Sequence, residues 1–267
     1  MTEFIARDVV YRRGDVEMHG LLRAPVAAAP LPAVLLVHDA FGLGAEMRAT
    51  AERLAELGFA VFAADVWGER LTPGSQDEIG PLIGGMAQDR GEWLARIAAA
   101  HEAAIAQPEI DPERIAGLGY CFGGSSVLEH LRTGAALRGV AAIHAGLDLI
   151  EFEWVRSRPG SSVLLCTGAD DPMATSEQRE RLQGALDGAG VDWEVDLYSG
   201  TVHAFTSENA KNSPVPHVFA YHERSAARAW NSTVRFLGEL LDPHGAEIHH
   251  QLPVPPTARR IDIPENE

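Results

Sequence analysis

At 267 residues, 46% of them hydrophobic, the chain is long enough for one α/β domain with a sheet covered on both faces, and no apolar run reaches membrane-spanning length. With 22 Lys and Arg against 38 Asp and Glu, the formal net charge is −16 and no basic cluster offsets it, which argues against nucleic acid and anionic membrane as partners. Its two cysteines, Cys121 and Cys166, make no disulfide scaffold, and the first residues lack the basic stretch and apolar core of a signal peptide, so a cytoplasmic location is expected.

Residues 4–12 and 16–23 read as two strands joined at Arg13-Gly14-Asp15, an opening hairpin. A loop at 27–32 leads into a wholly apolar strand, Ala33-Val34-Leu35-Leu36-Val37. Residues 46–57 place Met47, Leu54 and Leu57 on one helical face, and Gly58 ends that helix. Another apolar strand follows at 59–64. From Val66 to Ala87 Gly and Pro are frequent and no periodicity stands out, so a loop over one end of the sheet is expected. Residues 89–107 form a helix that closes before Pro108.

A short strand over 114–120, a glycine-rich turn and a helix through Arg132 come next, then strands at 139–144, 162–167 and 192–198. A helix at 176–189 separates the last two strands, and a long helix at 221–241 completes the pattern. Apolar strands alternating with amphipathic helices predict an α/β fold, a mostly parallel sheet with helices on both faces. No insertion is long enough for a separate lid domain. The domain is expected to span residues 1–242. Residues 243–267, with prolines at 253, 255, 256 and 264, read as a Pro-rich tail, extended or disordered unless held by packing in a homodimer.

Gly119-Tyr120-Cys121-Phe122-Gly123 carries the strongest chemical signal. Small-x-nucleophile-x-small between a strand and a helix is the nucleophile elbow of α/β-hydrolases, here with Cys where Ser is commoner. Glycine is required because the turn is too tight for side chains at 119 and 123. The thiol then stands at the strand's end, over a helix N-terminus whose free N–H groups favour a thiolate or an oxyanion. The plainer alternative is a buried cysteine beside a glycine-rich turn.

A reactive thiol needs a base and a group to orient it, and open α/β sheets place such groups at the carboxyl ends of strands. Gly168-Ala169-Asp170-Asp171-Pro172 follows one strand, and Ser199 to Phe205, containing His203, follows the next. The order nucleophile, acid, histidine is that of α/β-hydrolases. Asp170 and Asp171 compete for the acid role. The acid of this fold usually lies three residues after the strand-ending glycine, which favours Asp171 and leaves Asp170 as a solvated turn residue. Among 11 histidines only His203 follows a late strand in a loop; His217 and His222 flank the last helix, His249 and His250 lie in the tail, and His101 and His130 lie on helices. No H-E-x-x-H or paired C-x-x-C occurs, so no metal site is expected.

Beyond the elbow, His-Asp-Ala-Phe-Gly at 38–42, Ala-Asp-Val-Trp-Gly at 64–68, Gly-Ala-Asp-Asp at 168–171 and His-Ala-Phe at 203–205 recur in a fixed order. With these five motifs, the stretch from 33 to 241 resembles the dienelactone hydrolase family. The resemblance implies a lidless α/β-hydrolase, a Cys-Asp-His triad at Cys121, Asp171 and His203, and hydrolysis of small esters or lactones without a cofactor. Two positions depart from the family pattern. Asp39 stands where a Glu usually touches the resting thiol, and its side chain, one methylene shorter, implies that the two groups are either apart or bridged by water. Ser207 stands where an arginine binds the substrate carboxylate in enzymes acting on dienelactones, so a dienelactone is not the expected substrate unless Arg70, Arg90 or Arg96 substitutes.

In the expected cycle His203, oriented by Asp171, takes the proton of Cys121, and the thiolate attacks the carbonyl. The backbone N–H groups of Phe122 and Ala40 receive the oxyanion, and water then cleaves the thioester. Asp39, Phe41, Trp67, His144 and Phe205 are expected to line the substrate pocket. The same groups would also serve acyl transfer, thioester cleavage or a lyase-type reaction, and a fold alone does not exclude a silent binding protein, although such a relative is expected to have lost a triad member.

Overall fold

The apolar run after Leu31 has hydrophobic side chains at every position because both faces of its strand are covered. In β3 (Leu31–Val37), Ala33, Leu35 and Val37 enter one core while Val34 and Leu36 enter the other, the two-residue alternation of a strand buried on both sides. The structure, a computed structural model, describes residues 2–154 and 160–242. The tail expected at 243–267 lies outside the described residues.

Besides β3, the sheet contains β1 (Phe4–Arg13), β2 (Val16–Pro25), β4 (Ala60–Ala64), β5 (Ile110–Tyr120), β6 (Gly139–Ile143), β7 (Ser162–Gly168) and β8 (Asp192–Tyr198). Its order is β1-β2-β4-β3-β5-β6-β7-β8. The hairpin partner β2 runs antiparallel to β1 and β4, and every pairing from β4 to β8 is parallel. All the parallel strands therefore end at the same edge, where the loops carrying Asp39, Cys121, Asp171 and His203 emerge.

On one face lie α1 (Ala45–Glu56) and α6 (Glu223–Leu241), which bury Met47, Ala51 and Leu54 beside Ala229, Phe236 and Leu237. On the other lie α3 (Arg90–Ile105), α4 (Phe122–Arg132) and α5 (Ser176–Ala189), with Trp93, Ile97, Val127, Leu128, Leu182 and Leu186 against the sheet. Burying one such aliphatic side chain fully is worth about 1.5–3 kcal/mol. The limits of α5 follow from its sequence. Thr175 and Gln178 form a reciprocal capping box, and Gly190 closes the helix in the left-handed region at φ 66°.

One segment corrects the sequence reading. Residues 66–87, expected to be a loop, hold all but the last residue of α2 (Gln76–Gln88). Gly80, Pro81, Gly84 and Gly85 disguise it, yet Ile79, Leu82, Ile83 and Met86 follow the i, i+3, i+4, i+7 spacing of an amphipathic helix. Ile79 and Met86 are buried, and Leu82 and Ile83 pack against the core with Met86. Tertiary packing overrides weak propensity here.

Two polar clusters are buried between helices on the α3–α4 face. Glu129 of α4 is fully buried; it accepts hydrogen bonds from the guanidinium groups of Arg90 and Arg132 and from the Glu151 N–H. Arg90 also donates to Leu149 O at 2.6 Å, so the cluster anchors the segment after β6. Between the same two helices, His101 Nδ1 lies 3.0 Å from His130 Nε2.

Burial lowers the pKa of both histidines, that of His130 to about 3 with help from the charge of His101. The unfolded chain takes up these protons near pH 6.5, whereas folded His130 does so only near 3. Stability present above pH 6.5 is therefore lost as the pH falls through that window. The urea midpoint is expected to decline between pH 6.5 and 4, and less steeply in His130→Gln. Identical slopes for the two proteins would contradict this account.

Candidate active site

β5 delivers Cys121 to the site through a turn that only glycine neighbours permit. A Cβ on Gly119 would sit 2.0 Å from Gly123 O, and one on Gly123 would sit 2.2 Å from Val37 O and 2.5 Å from His38 O. Between them Cys121 adopts φ 53° and ψ −117°, a conformation that costs a non-glycine residue about 1–3 kcal/mol. Its N–H donates to Ile143 O at 2.9 Å, which ties the turn to the neighbouring strand. Cys121 is half-buried, whereas Cys166 is sealed in the sheet, where burial pushes its thiol up to about 12.

Asp171 follows β7 and His203 follows β8. Their loops touch closely, because a Cβ on Gly168 would lie 2.1 Å from Thr201 O. His203 Nε2 is 3.1 Å from Cys121 Sγ, and His203 Nδ1 is 2.9 Å from Asp171 Oδ2. The other carboxylate oxygen of Asp171 accepts the Met173 N–H at 2.8 Å. Both Asp171 and His203 are buried. Burial opposes a charge on His203, but the negative charge of Cys121 and the hydrogen bonds to Asp171 and Cys121 outweigh it and raise its pKa to about 10. Asp170, the competing acid, is an exposed turn residue whose N–H donates to Thr201 O. His217 is exposed, and His222 caps α6 by accepting the Ser225 N–H.

The loop after β3 is held from behind. Buried His38 accepts the Val66 N–H at Nε2, so its Nδ1 carries the proton donated to Asp39 O at 2.6 Å. Trp67 Nε1 donates to Ala40 O at 3.2 Å, and the indole stacks on Phe122 with ring centres 4.6 Å apart. One side chain thus supports both Ala40 and Phe122. Phe122 opens α4, where backbone N–H groups have no partner inside the helix. Asp39 Oδ1 accepts the Phe41 N–H at 2.9 Å, and among the described residues no hydrogen bond joins its carboxylate to Cys121. Burial raises the Asp39 pKa to about 7, against the Phe41 bond and with the charge of Glu46 adding to it.

A cavity of about 570 Å³ opens over Cys121 and His203, and Asp39, Ala40, Phe41, Phe122 and His144 line it as the sequence suggests. Trp67 and Phe205 do not. Trp67 lies behind the cavity wall, and Phe205 is wholly buried between Tyr198 and His144, because Ala204 at φ 58° turns the chain inward. Sequence reasoning missed Ile79 and Ile83 of α2 and Pro214, Val215 and Phe219, which form apolar walls. The four-residue spacing of Ile79 and Ile83, obscured by the glycines around it, is the signal that points to them.

His144 is itself unusual, with φ 38°, its Nε2 2.8 Å from Thr206 Oγ1 and its ring 5.3 Å from that of His203. Ser207 lines the cavity and donates its hydroxyl to Glu46. The three arginines considered as substitutes are engaged elsewhere: Arg70 with Asp8 and His19 O, Arg90 with Glu129, Arg96 with Glu92 and the carbonyls of Val66 and Trp67. Among the described residues no cluster of three metal-ligating side chains occurs, and no helix is long and apolar enough to cross a membrane.

Residues 18–241 match the sequence model of the dienelactone hydrolase family. The chain belongs to that family. As a dienelactone hydrolase family member it is a hydrolase acting on ester or lactone bonds. It is 35% identical to a dienelactone hydrolase-like promiscuous phosphotriesterase from metagenomic libraries, with a TM-score of 0.82 over 89% of this chain and 98% of that one. A putative carboxymethylenebutenolidase of Synechocystis sp. is 26% identical over 231 residues, 81% of this chain and 89% of the relative. A probable 2-oxo-3-(5-oxofuran-2-ylidene)propanoate lactonase of Bradyrhizobium sp. is 25% identical over 252 residues, 88% and 95% of the two chains.

Proposed function

We propose that this hydrolase cleaves small carboxylic esters or lactones through a thioester on Cys121. The observation that carries the reading is the continuous alignment of Cys121 Sγ, the His203 ring and the Asp171 carboxylate, at 3.1 and 2.9 Å. In this reading His203, charged and held by Asp171, stabilises the Cys121 thiolate. The sulfur attacks the carbonyl carbon, and the carbonyl π electrons move onto the oxygen, which the N–H groups of Ala40 and Phe122 receive. One such donor is commonly worth ~10²–10³ in rate. Collapse expels the alcohol with a proton from His203. Water, deprotonated by the now neutral imidazole, then attacks the thioester and restores the thiol.

Rapid quenching during turnover of an activated ester such as 4-nitrophenyl acetate should leave one acetyl group on the protein, located by peptide mass spectrometry on Cys121. Steady turnover with the label on any other residue, or with no label under burst conditions, would refute the thioester route. The metagenomic relative described as a promiscuous phosphotriesterase supports a second reading, in which the same thiol also attacks phosphotriesters. A dialkyl phosphoryl group trapped on Cys121 by the same procedure is its expected sign.

A further inference from the structure

The cavity over Cys121 is ringed by apolar groups, including Ile79, Ile83, Leu149, Met173, Val215 and Phe219, and its charge is one-sided. Apart from Cys121 and His203, its ionisable side chains are Asp39, His144 and Asp148; no Lys or Arg lies on its wall among the described residues. Asp39 sits beside the site, tied to the Phe41 N–H, and Asp148 is exposed on the wall after β6. His144 is fully buried with its Nε2 against Thr206, and burial together with the charge of His203 keeps it neutral.

Nearby cations are held away from the cavity. Arg90 lies between Glu129 and Leu149 O, Arg96 points to the carbonyls of Val66 and Trp67, Arg53 stacks 3.6 Å from the Trp230 ring centre, and Lys211, between the lining residues Ala210 and Asn212, pairs with Glu208 and lies 4.6 Å from the Tyr221 ring centre. The chain's formal charge of −16 reinforces this local field. A carboxylate entering such a site loses its hydration, meets no cation beyond His203 and faces Asp148.

We infer that the cavity selects uncharged or cationic acyl groups and rejects anionic ones, with Asp148 as the side chain that sets the sign. The inference deepens the reading of Cys121 as the reacting group, because the charge that matters is carried on the far part of the acyl chain. His203 attracts an anion only close to the sulfur. Beyond it the walls are apolar, and the remaining fixed charge is acidic.

Thiol addition to maleimides separates the cavity's charge preference from any hydrolytic activity. Cys121 would be labelled with N-hexylmaleimide, 6-maleimidohexanoate and N-(6-aminohexyl)maleimide, each rate divided by that for glutathione under the same conditions. The normalised rate for the hexanoate is expected to be roughly threefold below those of the other two, the scale of a like-charge interaction at an exposed, water-screened carboxylate. Asp148→Asn should narrow the gap and Asp148→Lys should close or invert it, while added salt should shrink it in the wild type.

Equal rates for the anionic and cationic reagents, an unchanged gap in both Asp148 variants, or no labelling of Cys121 by any reagent would each overturn the inference. Selective labelling in a protein that turns over no ester would leave the inference standing and refute the hydrolytic reading of Cys121. Turnover of esters without charge discrimination in labelling would do the reverse.

Discussion

Cys121→Ala should lower kcat/KM for an activated ester by at least about 10⁴-fold, the scale on which loss of a nucleophile leaves only the contributions of an oxyanion site and binding. The substitution is a clean one. Alanine retains the Cβ, so the strained turn at φ 53° and the Cys121 N–H bond to Ile143 O are unaffected. Only the sulfur facing His203 Nε2 is removed. The melting temperature should therefore move by no more than a few degrees while activity disappears. Steady-state kinetics with 4-nitrophenyl acetate, alongside calorimetry, would check both halves. A variant retaining more than a tenth of wild-type turnover would remove Cys121 from the mechanism. One that unfolds would show that the sulfur is chiefly a packing group.

Gly123→Ala is expected to have the largest effect on the fold itself. Its Cβ would come within 2.2 Å of Val37 O and 2.5 Å of His38 O, and both are backbone atoms at the end of the central strand β3. Neither can retreat, since β3 is paired on both sides by β4 and β5. Clashes of this type belong to the rare class costing more than about 4 kcal/mol, which for a domain of this size lowers the melting temperature by roughly 8–16 °C. Gly84→Ala serves as the control, because nothing lies within 4 Å of a Cβ there. Comparable melting temperatures for the two variants would mean that the elbow has more slack than its geometry indicates.

Most of the architecture was legible because its signals are local. The apolar runs of β3, β4, β6 and β7, the spacing of Met47 and Leu54 on α1 and the closing glycine at 58 each express a short-range rule. The positions of Cys121, Asp171 and His203 could be read for a related reason: a parallel sheet brings the ends of its strands to one edge, so chain order becomes spatial proximity. What could not be read depends on long-range packing. Helix α2 has poor intrinsic propensity and exists through burial of Ile79 and Met86. The inward turn of Phe205 follows from a left-handed backbone at Ala204 that no residue type announces. Aromatic character alone suggests that Trp67 faces substrate, and it does not reveal a supporting role behind Ala40 and Phe122.

Helix α2 has a consequence for how readily this enzyme could change its diet. Gly80 and Gly84 both border the cavity, and neither has an atom within 4 Å of where a methyl group would go. In a helix interior a glycine such as Gly84 forfeits up to about 1 kcal/mol relative to alanine, whereas at Gly80 the following Pro81 disfavours any Cβ in the helical conformation. Enlarging Gly84 would therefore narrow the space for the acyl chain while making the helix firmer, so that retuning selectivity and gaining robustness run in the same direction. Adaptation at this wall escapes the conflict between new activity and folding that constrains most catalytic clefts.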